Sequence, residues 1–102
     1  MPEDRIAHRE VLRTVRVRAR GRVQGVGFRA WTASHAARLG LDGWVRNLRD
    51  GSLEAVFSGT PEAVSRMVEL ACQGPRSSFV RNLEVDEELE VPAAGFSQRP
   101  SQ

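Results

Sequence analysis

From Val15 to Arg20 apolar and basic residues alternate, with Val15, Val17 and Ala19 on one side and Arg16, Arg18 and Arg20 on the other. A period of two over that length predicts a half-buried strand. The period changes after a glycine-rich stretch. Phe28, Trp31, Thr32, His35, Ala36 and Leu39 then fall within one broad stripe at helical spacing, which predicts a helix over 28–39 with Gly40 as its stop. Leu41 to Leu48, centred on Trp44 and Val45, and Ser52 to Ser58, with Leu53, Ala55 and Phe57 on one side, read as two strands. Arg49-Asp50-Gly51 between them is a hairpin signal. Thr60-Pro61-Glu62 assembles a helix start from a hydroxyl cap, a proline and an acid in the first turn. Val64, Met67, Val68 and Ala71 supply that helix's apolar face, and Gly74-Pro75 ends it. Val80, Leu83 and Val85 predict a further strand, and Gly95 to Arg99 a short last one.

The element order is therefore β-α-β-β-α-β with a possible short fifth strand. It predicts an α+β fold: a ferredoxin-like sandwich, an antiparallel sheet with two helices on one face. Right-handed crossovers put the third strand between the first and second. The glycine-rich loop then opens beside the second strand, where Asn47 lies. At 102 residues the chain is one domain, able to bury roughly 60–70% of its unfolded surface. Residues 1–13 are mostly polar or charged without a clean period and read as a flexible tail. The folded domain is expected over 14–99, with 100–102 as a C-terminal tail.

Composition narrows the function classes only slightly. All fifteen basic side chains are arginine, set against thirteen acidic ones. A formal charge of +2 suits an anionic small molecule as well as a nucleic acid. The single cysteine, Cys72, precludes an internal disulfide and reads as a half-buried helix residue. No apolar run reaches the roughly 18 residues of a membrane span, and the N-terminus has no signal-peptide pattern, so a cytoplasmic protein is expected. Two histidines and one cysteine, widely spaced, form no recognisable metal site. His35 reads as a locally hydrogen-bonded histidine at the core edge, and Trp31 and Trp44 as core residues.

Chemistry concentrates in Gly21-Arg22-Val23-Gln24-Gly25-Val26-Gly27-Phe28-Arg29. Glycines let a backbone turn tightly and approach a ligand. A turn just ahead of a helix gathers N–H groups into an anion-binding concavity, and an arginine there adds a planar fork for two phosphate oxygens. A lysine-dependent nucleotide loop is excluded, because the chain has no lysine. Gly25-Val26-Gly27-Phe28-Arg29-Ala30 fits a dinucleotide pattern, yet the acid about twenty residues on, Asp50, falls in a hairpin turn, and the chain is too short for two mononucleotide halves. Cys72 is followed by Ser78 where a cysteine phosphatase needs arginine. The loop is then either a small phosphoryl pocket or a plain connecting turn. Arg16, Arg18 and Arg20 with Glu54 suggest a salt-bridged open sheet face. A basic sheet could also bind single-stranded RNA, but such surfaces stack bases on aromatics, and Phe57 belongs to the buried set.

Taken with Gly40-Leu41-x-Gly43-Trp44-Val45-x-Asn47, then Asp50-Gly51 and Glu54, the glycine loop closely resembles the acylphosphatase family. The resemblance is most specific from Val15 to Gly59 and continues more weakly through Val80-x-x-Leu83-x-Val85 to Phe96-x-x-Arg99. It implies metal-independent hydrolysis of acyl phosphates to carboxylate and inorganic phosphate, with no cofactor. By position it makes Arg29 the phosphate-binding guanidinium, Asn47 the residue that orients the attacking water, and the backbone of Gly21, Arg22, Val23, Gln24, Gly25, Val26 and Gly27 the phosphate cradle. Thr32 and Ser52 take supporting positions. Serine replaces the family's usual threonine at 52, and the polar, proline-broken C-terminus replaces its usual apolar-aromatic strand. The expected partners are a small-molecule acyl phosphate and, as product, inorganic phosphate, with no nucleic acid and no membrane, and the protein is expected to be a monomer. The alternative is a non-catalytic ferredoxin-like regulatory or single-stranded RNA-binding module.

Overall fold

A computed structural model describes residues 12–102. The expected tail over 1–13 lies outside the described residues as far as position 11. Arg13 already opens the first strand, β1 (Arg13–Arg22). Helix α1 (Phe28–Arg38) follows, then β2 (Asp42–Asn47), β3 (Leu53–Gly59), α2 (Pro61–Gln73), β4 (Phe79–Glu87) and β5 (Phe96–Gln98). Among the described residues one sheet contains five strands in the order β4-β1-β3-β2-β5, with β3 between β1 and β2 as expected.

Register follows from the alternation. β1 lies antiparallel to β3, with Val15 opposite Phe57 and Val17 opposite Ala55. Those residues, with Ala19, Val45 and Leu53, form one core with Phe28 and Ala36 of α1 and Val64 and Met67 of α2. Both helices therefore cover the same face. α2 is held as its sequence dictates: the Thr60 hydroxyl accepts from the Ala63 N–H, Pro61 occupies the first turn, and Gly74 closes the other end. α1 stops where Gly40 N–H donates to Ala37 O and Leu41 N–H to Ala36 O.

The opposite face carries a buried carboxylate. Glu54 receives Arg16 Nη1 at 2.7 Å and Arg46 Nη2 at 2.8 Å, with Arg18 Nη2 at 3.8 Å. Burial pushes the Glu54 carboxyl up, but the Arg16 and Arg46 hydrogen bonds outweigh it and hold the group below its ordinary range. Trp44 is buried on this face, apart from the cluster that the helices cover. The guanidiniums of Arg16, Arg46 and Arg99 lie 5.5, 4.8 and 4.4 Å from its ring centroid, at cation–π distance.

The expected short fifth strand is present and adds one parallel pair to the antiparallel sheet. β5 pairs parallel to β2, with Gly43 opposite Phe96. The chain leaves β4 at one edge and must reach the other. The connection passes the Thr14 end, where Glu88 N–H donates to Thr14 O, and runs beside Trp44 and Val56. It thus enters β5 in the direction of β2. Past β5, Arg99 N–H donates to Val45 O and Gln102 N–H to Asn47 O, so the residues expected as a tail continue along this edge. Two smaller expectations also change. Cys72 is exposed rather than half-buried. His35 has a ring contact with Trp31 at 4.6 Å and no side-chain hydrogen bond among those described. Burial first, and then the charges of Arg38 and Arg66, lower its pKa.

Candidate active site

The end of β1, the start of α1 and the end of β2 come together at one side of the sheet. A cleft of about 170 Å³ opens there, lined by Val23, Gly25, Gly27, Phe28, Arg29, Ala30, Asn47 and Gln98. Its floor is the entrance to α1, and the local sequence makes that entrance unusual. Gly27 is the N-cap in a left-handed conformation (φ 78°, ψ 17°), provides no side-chain cap, and no acidic residue occupies the first turn. The first N–H groups of a helix lack intrahelical acceptors and form its positive end. In α2 the Thr60 hydroxyl accepts from one of these groups, the Ala63 N–H, and Glu62 lies in the first turn. In α1 the residues that carry these groups, Phe28, Arg29 and Ala30, line the cleft, as an anion site requires.

Arg29 belongs to that first turn, and its Nη1 donates to Arg99 O at 3.3 Å. Asn47 ends β2, opposite Leu53 of β3. Its Oδ1 is buried without a hydrogen-bond partner among the described residues. Sheet order carries Asn47 to the glycine loop, since β2 is separated from β1 by β3 alone. The cleft therefore joins a guanidinium, a helix N-terminus and an unpaired carboxamide, a set suited to a tetrahedral anion and a polarised neighbour. Among the described residues no group of three or more His, Cys, Asp or Glu side chains could hold a metal.

The remaining expected residues divide. Val23, Gly25 and Gly27 line the cleft, whereas Gly21, Arg22, Gln24, Val26, Thr32 and Ser52 do not. Gly21 marks a register shift between β1 and β4, and Arg22 is exposed. Val26 packs against the core, and its carbonyl accepts from Ser77 Oγ at 3.0 Å. Thr32 is buried, with Oγ1 unpaired among the described residues. Ser52 acts on the hairpin: its hydroxyl donates to Asp50 Oδ1 at 2.5 Å and its N–H to the same oxygen at 2.9 Å. Those two bonds hold the Asp50 carboxyl below its ordinary range. Gln24 Nε2 donates to the carbonyls of Leu48 and Ser52 on the neighbouring hairpin.

Three lining residues were not anticipated. Phe28 and Ala30 follow from the missing cap, a signal present in the sequence as Gly27 without a capping side chain. Gln98 arrives through the parallel pairing of β5, for which the chain gives no local cue.

The chain is similar to known proteins over most of its length. The acylphosphatase family model matches residues 15–98. An acylphosphatase of Rhizorhabdus wittichii is 46% identical over 98 residues, covering 96% of this chain and 92% of that protein. One from Mesorhizobium japonicum is 56% identical over 75 residues, covering 74% and 80%. The solved structure of an acylphosphatase from Coxiella burnetii superposes with a TM-score of 0.85 at 30% identity, covering 90% of this chain and 97% of that one.

Proposed function

The chain belongs to the acylphosphatase family and is an enzyme that hydrolyses acyl phosphates, and on that premise we propose that Arg29 and Asn47 divide the work of the reaction. Arg29 and the N–H groups at the entrance of α1 bind the equatorial phosphoryl oxygens. Asn47 holds the attacking water in line with the bond to be broken. The observation that carries this reading is the convergence of an uncapped helix N-terminus, Arg29 and an unpaired Asn47 oxygen on one cleft.

These groups suffice because an acyl phosphate is already activated. Water oxygen bonds to phosphorus while the bond from phosphorus to the acyl oxygen breaks, and its electron pair leaves with the carboxylate. With a carboxylic-acid pKa near 4, the leaving group needs no general acid. The water's proton passes to a phosphoryl oxygen, leaving carboxylate and inorganic phosphate. Phosphoryl transfer gives the protein little covalent chemistry, so positioning and charge stabilisation dominate. A neutral carboxamide can accept from the water without repelling the anionic substrate, as a carboxylate would. The buried, unpaired Oδ1 of Asn47 gains from such a partner, since an unmet buried acceptor is unfavourable by roughly 1–3 kcal/mol.

The same reading makes the protein a cytoplasmic monomer that acts without a metal or a nucleic-acid partner. The RNA-binding alternative is disfavoured by the second sheet face. Its arginines surround Glu54 and Trp44, and Phe57 is buried. No described helix is long and apolar enough to cross a membrane. The deciding assay sets a simple aryl acyl phosphate beside an aryl phosphate monoester. Rapid cleavage of the acyl phosphate alone is expected. Comparable cleavage of both contradicts a site without a general acid, and cleavage of neither favours the non-catalytic alternative.

A further inference from the structure

Gln24 is the centre of the glycine loop by sequence, yet its side chain contributes nothing to the cleft lining. It is engaged by the hairpin instead. Nε2 lies 2.8 Å from Leu48 O and 2.8 Å from Ser52 O. Those carbonyls belong to the mouth of the β2–β3 hairpin, where Leu48 N–H donates to Ser52 O and Gly51 N–H to Leu48 O. Each carbonyl has a second lone pair, and Gln24 takes both. The two acceptors fix the amide orientation, because only the NH₂ end can donate to them. A side chain from the phosphate cradle therefore bridges the turn that begins immediately after Asn47.

We infer that Gln24 is a positioning residue, which sets the distance between the phosphate cradle and the Asn47 carboxamide and acts on turnover through Asn47. This rests on the proposed role of Asn47 in holding water. Cradle and carboxamide sit on separate elements: the loop follows β1, and Asn47 ends β2. In-line attack requires water to be placed against a phosphorus whose position the loop determines, and small misplacements are costly to rate. The β1–β3–β2 ladder sets the distance only up to the strand ends. Beyond them, the two bonds from Gln24 join loop to turn. Asp50 and Ser52 stiffen the turn itself, so a constraint applied at Leu48 and Ser52 is passed to the residue beside them. Val23 and Val26 pack the loop against the core, and the two bonds from Gln24 tie it to the hairpin.

The test is a double-mutant cycle on the full chain. Gln24→Met keeps the length and removes both donors, and Gln24→Asn keeps the amide but falls one methylene short. Each is combined with Asn47→Ala. Both single Gln24 variants are expected to lose roughly 10-fold to 10²-fold in kcat, with inorganic phosphate inhibition within about twofold of wild type, because the cradle's own N–H groups are untouched. In the Asn47→Ala background the same changes should alter kcat by less than about twofold, since groups that act through one another are not additive. Thermal unfolding accompanies each variant, and Gln24→Asn carries the test if Gln24→Met fails to fold. Wild-type kcat in the Gln24 variants overturns the inference, as does an equal loss with and without Asn47 or a phosphate affinity that falls in step with kcat. Near-normal turnover in Asn47→Ala alone instead overturns the role of Asn47, so the two failures are told apart.

Discussion

Arg29, in the first turn of α1, and Asn47, at the last position of β2, border the same cleft of about 170 Å³ although no element contains both. One residue carries a fixed positive charge on a planar fork, and the other a neutral carboxamide with an unpaired buried oxygen. The chemical division between them follows from that difference. On the proposed reading, the charge goes with the phosphoryl oxygens and the neutral acceptor with the water.

Arg29→Lys is expected to lower kcat/KM for an aryl acyl phosphate by roughly 10²-fold or more, a loss of the size seen when a preorganised charge-stabilising group is removed. Lysine keeps the charge but replaces two parallel donors by a point charge. Steady-state kinetics decide the matter: near-normal turnover would remove Arg29 from the phosphate site.

Asn47→Ala is expected to reduce kcat by roughly 10²-fold while phosphate inhibition changes little. The proposed role of Asn47 is to act on water, not on the bound anion. Equal losses in kcat and in phosphate affinity would assign Asn47 to phosphate binding instead.

Two glycines should respond differently to alanine. At Gly43 (φ +137°) an added Cβ would lie 1.8 Å from Val56 O across the β2–β3 ladder, so the strands must part, and a loss on the order of 4 kcal/mol or more is expected, at the extreme of single substitutions. At Gly27 (φ +78°) nothing lies within 4 Å of an added Cβ. The penalty there is the left-handed backbone alone, about 1–2 kcal/mol, and urea unfolding of both variants gives the comparison. Similar losses at the two sites would contradict the close β2–β3 approach.

Acid should destabilise the protein partly through Glu54. Its carboxyl lies below its ordinary range because Arg16 and Arg46 outweigh the opposing effect of burial. A group depressed in the folded state gives stability that is present above its unfolded pKa, about 4.3 for glutamate, and lost as pH falls through the folded value. Unfolding free energy should hold near pH 6 and decline below about pH 4, with Asp50 and Glu88 shifted in the same direction. Glu54→Gln should make that decline shallower. An unchanged acid limb in this variant would show that other carboxylates control it.

The chain's local patterns determined the element order, the core-facing residues and the chemical character of the glycine loop. Alternation in β1, the Thr60-Pro61-Glu62 start of α2 and the Asp50-Gly51 turn each act over a few residues, so short-range sterics and hydrogen bonding suffice to specify them. Arg29 and Asn47 were legible as a pair through resemblance, because their two motifs are each continuous in sequence. Tertiary structure decided what depends on distant partners. β5 runs parallel because the Glu88–Gly95 connection must cross from one sheet edge to the other, and that pairing brings Gln98 to the cleft and Arg99 over Trp44. Gln24 looked like one more cradle residue; its direction is set by two carbonyls on a hairpin that only sheet assembly brings within reach. Side-chain direction in a glycine-rich loop has no periodicity to report it, since neither a helix nor a strand fixes where successive residues point.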